Sequence, residues 1–166
     1  MLDSRRESES MIIRPDQARI YSMGRGEARI LVDAERSGGA WRLGEFREDP
    51  GYTTGLHLHP KTDEQFFVLD GVLSVYVEGQ WHDLEPGTVA VVPRGTPHAQ
   101  ANAGKQPVRF LGSGNPCGFE RFFPELHELA ARLSPSDPQF GAEVAKLVSR
   151  HDTQLLGPPP PRVKTA

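Results

Sequence analysis

The stretch Gly51-Tyr52-Thr53-Thr54-Gly55-Leu56-His57-Leu58-His59-Pro60-Lys61-Thr62-Asp63-Glu64-Gln65-Phe66-Phe67-Val68-Leu69-Asp70-Gly71 gathers two imidazoles and a carboxylate that can share one ion. His57 and His59 stand two residues apart. On a strand, side chains alternate between faces, so both rings point the same way with their backbones about 6–7 Å apart, close enough to converge. Leu56 and Leu58 then face the other way. Pro60 to Asp63 offer turn chemistry, after which Glu64 opens a second strand and returns beside the histidines in a hairpin. Glu64, Phe66 and Val68 share one face of that strand.

A third imidazole comes from Gly87-Thr88-Val89-Ala90-Val91-Val92-Pro93-Arg94-Gly95-Thr96-Pro97-His98-Ala99-Gln100-Ala101-Asn102. Pro93 to Gly95 makes a turn, so His98 arrives from a different hairpin. Three neutral imidazoles and one carboxylate, with room left for water, suit first-row metals from manganese to zinc. The expected cofactor is therefore one divalent transition metal ion (nickel, cobalt, manganese, iron, copper or zinc) held by His57, His59, Glu64 and His98. Glu64 must cross a turn and is expected to be the ligand that swings free, which makes it the candidate catalytic base.

Outward from these stretches the chain reads as short strands separated by turns. The candidates are 29–32, 41–46, 55–59, 65–69, 73–77, 88–92 and 108–111, with Asp70-Gly71 and Glu78-Gly79-Gln80 as the most hairpin-like joints. Gly24-Arg25-Gly26 reads as another hairpin turn rather than a phosphate loop, since no third glycine or helix follows. Many short strands with no long helix before residue 118 argue for an antiparallel sandwich or barrel. The glycines at 51, 55, 71, 87 and 95 are expected to turn corners.

From Phe119 the period changes. Phe119, Phe122, Phe123, Leu126, Ala130 and Leu133 recur at helical spacing. Either a helix starts near Phe123 with Pro124 in its first turn, or Glu120 to Phe123 forms a separate short turn. The phenylalanines are either core or the apolar mouth of a pocket. A second helix is expected over 138–149, with Asp137 as its N-cap. The expected organisation is a flexible N-terminus (1–16), a barrel (17–116), a helical extension (117–156) and a Pro-rich tail (157–166).

Composition excludes several classes. The 166 residues carry 19 Lys+Arg against 22 Asp+Glu, a formal net charge of -3 without the basic block that phosphate backbones require, so no nucleic acid partner is expected. The single cysteine, Cys117, excludes an internal disulfide and a cysteine-based zinc site, and with no basic neighbour it is a poor nucleophile. The first ten residues mix charge signs and lack the apolar run of a signal or membrane helix, so a cytoplasmic protein with no membrane association is expected. His82, His127 and His151 lack companions and read as structural or solvated.

The first stretch resembles the first cupin motif, G-x5-H-x-H-x4-E-x6-G, at Gly51, His57, His59, Glu64 and Gly71; the second resembles the second cupin motif, G-x5-P-x-G-x2-H-x3-N, at Gly87, Pro93, Gly95, His98 and Asn102. Fifteen residues separate Gly71 from Gly87, a spacing similar to that of the bacterial single-domain cupins. The resemblance implies an all-β double-stranded β-helix (jelly-roll) barrel, here with C-terminal helices, a metal near its open end and a homodimer. The region from Gly118 to Phe123, with the following helices and the 155–159 tail, also resembles quercetin 2,3-dioxygenase-like cupins. That implies a metal-dependent dioxygenase taking O2 and a small aromatic or enolisable substrate. The cupin fold also hosts metal-dependent isomerases and lyases, and binding modules without turnover, which stand as the alternatives.

Overall fold

The structure, a computed structural model, describes residues 11–162. Residues 1–10 of the expected flexible N-terminus and 163–166 of the expected tail lie outside the described residues.

Among the described residues eleven strands carry the fold: β1 Arg19–Ser22, β2 Gly26–Val32, β3 Arg42–Glu48, β4 Leu56–Leu58, β5 Asp63–Asp70, β6 Leu73–Val77, β7 Gln80–Leu84, β8 Val89–Val92, β9 Ala99–Ala101, β10 Val108–Asn115 and β11 Gln154–Gly157. A short helix, α1 (Ala34–Ser37), joins β2 to β3. One sheet runs β1-β2-β3-β10-β5-β8, a second β7-β6-β9, and β11 pairs with β4. All pairings are antiparallel, as short strands joined by tight turns require. Bridges at Thr53–Ala101 and His57–His98 tie the β4 segment to β9.

Three neighbouring strands point the same alternating pattern inward. Arg42, Gly44, Phe46 and Glu48 of β3, Val108, Phe110, Gly112 and Gly114 of β10, and Glu64, Phe66 and Val68 of β5 form the buried face. At its centre Phe46 stacks on Phe110 with ring centroids 5.3 Å apart, and Phe66 meets Phe110 edge-on at 5.8 Å. Each such pair contributes about 0.5–1.5 kcal/mol beyond burial. The Phe46 ring fits because Gly112 lacks a side chain: a Cβ there would lie 2.7 Å from it.

The two expected readings of the 119–124 region are both present in sequence. A 3-10 turn at Phe119–Arg121 runs into α2 (Phe122–Arg132), whose third residue is Pro124, where no N–H is needed. The second long helix, α3 (Phe140–Val148), starts two residues later than expected. Asp137 still caps the turn that precedes it, accepting from the Gln139 N–H at 2.8 Å. Phe122, Phe123, Leu126 and Leu129 form the buried face of α2, and Phe123 reaches Phe46 at 5.4 Å. The helix therefore covers one end of the barrel.

Candidate metal centre

His57 on β4, His59 just beyond it, Glu64 on β5 and His98 before β9 are all buried, and one donor atom of each lies within 4.8 Å of the others. His57 and His98 are direct cross-strand partners, exchanging backbone bonds of 2.9 and 2.8 Å. That bridge brings the hairpin bearing His98 to the first three residues, and the His57 and His98 ring centroids lie 4.3 Å apart.

The orientation of the rings fits a cation. Each Nδ1 faces a backbone carbonyl: His57 that of Gly55 at 2.8 Å, His59 that of Asp152 at 2.5 Å, and His98 that of Thr96 at 2.9 Å. A carbonyl only accepts, so each Nδ1 carries the proton and each Nε2 is left with its lone pair directed to the centre. Fixing the tautomer through the outer nitrogen is how proteins prepare imidazole ligands. The Nε2 atoms of His59 and His98 lie 3.4 and 3.3 Å from Glu64 Oε2.

Electrostatics agree with that use. Burial, reinforced by His98, pulls His57 down to about 4, so it is neutral at ordinary pH. Burial also opposes charge on His59, but the Glu64 carboxylate outweighs it and holds that imidazole above its usual value. Glu64 is held well below the carboxylate range: burial opposes its charge, while its contacts with His59 and His98 and the Arg42 guanidinium outweigh burial. An ionised, buried carboxylate among imidazole lone pairs is a site that a divalent cation would complete.

Glu64 does not stand free. Arg42 Nη2 donates to Glu64 Oε1, leaving Oε2 as the oxygen that faces the histidines. The guanidinium is itself buried, with its carbon 5.4 Å from the centre of the Phe119 ring. On another side the backbone of Gly114 makes room for it, since a Cβ there would lie 2.7 Å from Arg42 Nε. The expectation of a swinging base therefore meets a carboxylate clamped and kept acidic, a better ligand than base.

Other side chains make their contacts away from the donor cluster. The His127 Nδ1 accepts from the Ser22 N–H at 3.0 Å, and His151 lies 3.1 Å from Glu125. Burial raises the Cys117 thiol above its ordinary value, in keeping with a poor nucleophile. Asn102 donates to the carbonyls of Glu48 and Gln106, both at 2.9 Å, closing the loop after β9. Gly51, Gly71, Gly87 and Gly95 have positive φ as corner residues do, whereas Gly55 does not. A Cβ at Gly55 would lie 2.9 Å from the Gly157 carbonyl, so its role is to admit β11 alongside β4.

The cluster opens into a cavity of about 580 Å³ that is lined by Tyr52, Phe46, Phe66, Phe110, Phe119 and Phe122 among others. The phenylalanines of the 119–123 segment are thus both core and cavity wall.

Glu48, at the far end of the inward face of β3, is wholly buried; burial pushes its carboxyl to about 8 although Gln100 donates to Oε1 at 2.6 Å. Oε2 has no partner among the described residues. A carboxyl raised above its unfolded value of 4.5 stabilises the fold below pH 4.5, and that contribution is lost as pH rises to about 8. Glu48→Gln is therefore expected to gain stability relative to the parent across pH 4.5 to 8, by roughly 2–4 kcal/mol at the alkaline end. Urea melts of both proteins in chelator at pH 5 and 8.5 check this; a pH-independent difference refutes a neutral Glu48.

Residues 44–113 match the family described as Cupin domain, Cupin_2. The chain is 29% identical over 94 residues to quercetin 2,3-dioxygenase of Bacillus subtilis (strain 168), a match covering 57% of this chain and 28% of that protein. It is 32% identical over 87 residues to the tetracenomycin polyketide synthase protein TcmJ of Streptomyces glaucescens, covering 52% of this chain and 58% of that one. The chain thus spans 28% and 58% of the length of these curated relatives. Among solved structures, the polyketide cyclase RemF from Streptomyces resistomycificus superposes with a TM-score of 0.56 at 23% identity, over 64% of this chain and 80% of that one, a likeness of fold. Among the described residues no helix is long and apolar enough to cross a membrane.

Proposed function

We propose that this chain, a cupin by its double-stranded β-helix fold and by the sequence of residues 44–113, is a metal-dependent dioxygenase acting on a small aromatic or enolisable substrate. One observation carries the reading: the donor cluster opens, through His57, His59 and Glu64, into a largely apolar cavity whose wall includes Phe46, Tyr52, Phe66, Phe110, Phe119 and Phe122. The 29% identity to a quercetin 2,3-dioxygenase supports it, as does the 32% identity to a protein of tetracenomycin polyketide synthesis.

His57, His59 and His98 would hold the ion through Nε2, and Glu64 through Oε2. A divalent cation so held supplies Lewis acidity and positions for oxygen donors. The remaining work falls to the chain. Arg42 keeps Glu64 ionised and aimed, so negative charge stays at the centre instead of being quenched by a proton. Phe119, 4.9 Å from the His59 ring, screens the cluster on the cavity side. The apolar walls favour planar aromatic ligands and exclude water around the reacting atoms.

The test is oxygen consumption by the metal-loaded full chain with flavonols and related enols. The expected result is uptake of one O2 per substrate consumed, abolished by chelator. Equal turnover under strict anaerobiosis would instead assign a non-oxidative isomerase or lyase. Retention of metal and ligand without turnover of any substrate would assign a binding cupin.

A further inference from the structure

The cavity is not closed by the barrel alone. After α3 the chain returns across the site as a strap of residues 152–159, entirely outside the family-matched segment 44–113. Its strand, β11, lies along β4, with Leu155 opposite His57 and Gln154 opposite Leu58. Gly55 leaves the space for this approach, a Cβ there falling 2.9 Å from the Gly157 carbonyl and 3.6 Å from the Leu155 Cδ2. Thr153, Leu155, Pro158 and Pro159 all line the cavity.

The same strap reaches a ligand from behind. The Asp152 carbonyl accepts from His59 Nδ1 at 2.5 Å, and the Thr153 hydroxyl lies 3.2 Å from that nitrogen. The Asp152 carboxylate accepts from the Thr62 hydroxyl at 2.8 Å and the Lys61 N–H at 3.2 Å, pinning the strap to the turn between His59 and Glu64. Beyond the cavity the chain is latched to the second sheet. Trp81 Nε1 donates to the Pro160 carbonyl at 3.3 Å, and Arg162 binds Asp83 at 2.6 Å and the Ser74 hydroxyl at 2.7 Å. His57 and His98 take their outer bonds from carbonyls two residues away in their own segments; His59 takes its own from 93 residues away.

We infer that the 152–159 strap is a specificity-determining wall that also positions His59: Leu155, Pro158 and Pro159 limit how large an aromatic ligand reaches the metal centre, while Asp152 and Thr153 fix the imidazole. This deepens the metal-dependent reading above and rests on it. An aromatic ligand admitted to the centre passes the strap on one side and the 119–123 phenylalanines on the other. Its size limit is then set by residues that the family's barrel does not contain.

The experiment uses the full chain loaded with cobalt(II), whose visible absorption reports ligands at the centre. Titration with imidazole and with 4-phenylimidazole measures discrimination by size. Leu155→Ala and Pro158→Ala are expected to raise the affinity for 4-phenylimidazole relative to imidazole by about 5–50-fold, with cobalt affinity within about twofold of the parent. Trp81→Phe combined with Arg162→Ala, far from the donors, should speed amide exchange over 154–157 and weaken cobalt binding about tenfold, the usual scale for losing an outer partner of a ligand. An unchanged affinity ratio in both wall variants overturns the wall. Unchanged cobalt affinity in the latch variant overturns the positioning of His59. Cobalt uptake and both imidazole titrations in a protein that consumes no O2 with any enol would overturn the dioxygenase reading and leave the strap standing; a parent that takes up no cobalt overturns both.

Discussion

Arg42→Met is expected to destabilise the metal-free protein by about 3–5 kcal/mol at pH 8, the usual consequence of removing one partner from a buried ion pair. The guanidinium is 2% exposed and Glu64 only 6%, so solvent cannot take over its role. With Arg42 gone, the remaining partners of Glu64 are His59 and His98, whose Nδ1 protons are already committed to carbonyls. The carboxylate must then either draw a proton or remain charged and uncompensated. The sign with pH follows from the present state. Glu64 now lies well below its unfolded value of 4.5, so its contribution is present above that pH and fades as pH falls. Without Arg42 burial is opposed by the two imidazoles alone, so the depression shrinks and part of that contribution is lost. The gap between parent and variant should therefore be smallest in acid and widen as pH rises through the carboxylate range, in urea melts run with chelator. Added divalent cation, which would replace the missing charge, should narrow it. Arg42→Met with Glu64→Leu should recover most of the loss, because a pair replaced by apolar groups leaves no orphan charge. A gap that stays constant with pH, or a double variant no better than the single, would show that Arg42 contributes packing rather than charge.

The part of this site that reads directly from the chain is the part written in local period. His57 and His59 share a face because strands repeat every two residues, and Glu64, Phe66 and Val68 share another for the same reason. His98 reads as a partner because its turn residues stand at fixed offsets from it. Arg42 is a different case. In Trp41-Arg42-Leu43-Gly44, hydrophobicity alone would bury Trp41 and Leu43, yet Trp41 is 44% exposed and Arg42 is inside. What reverses the faces is a carboxylate two strands away, on β5 across β10, which no window around residue 42 contains. The same holds for Asp152, whose carbonyl meets His59 only after two helices have turned the chain back. The short strands fare likewise: β9 is three small or polar residues without a hydrophobic signal, and β11 takes its strand form from the free edge of β4. Its exposed Leu155 and Leu156 look like a tail until that edge is known.

His98→Ala is expected to abolish stoichiometric metal binding, lowering affinity by roughly 10²–10³-fold, about a quarter of the 10–16 kcal/mol that a four-donor site can supply. Oxygen uptake should vanish with it. The substitution is a clean probe because what His98 contributes to the fold runs through its backbone, in the pair of bonds to His57, and an alanine keeps both. The variant should therefore still melt cooperatively and still hold His57 and His59 in place. Its loss is one Nε2 at the centre and the side-chain bond to the Thr96 carbonyl. His82→Ala, on β7 of the second sheet and outside the cluster, is the matched control and should retain full metal content. Metal analysis of the two proteins after identical loading decides the matter. Full occupancy in His98→Ala would mean that the ion, if held at all, sits among His57, His59 and Glu64 alone. Glu64 would then be the indispensable donor, and the clamp by Arg42, rather than the imidazole cage, the feature on which binding turns. A collapse of binding in His98→Ala beside an intact His82→Ala would place the weight on the convergence of two hairpins.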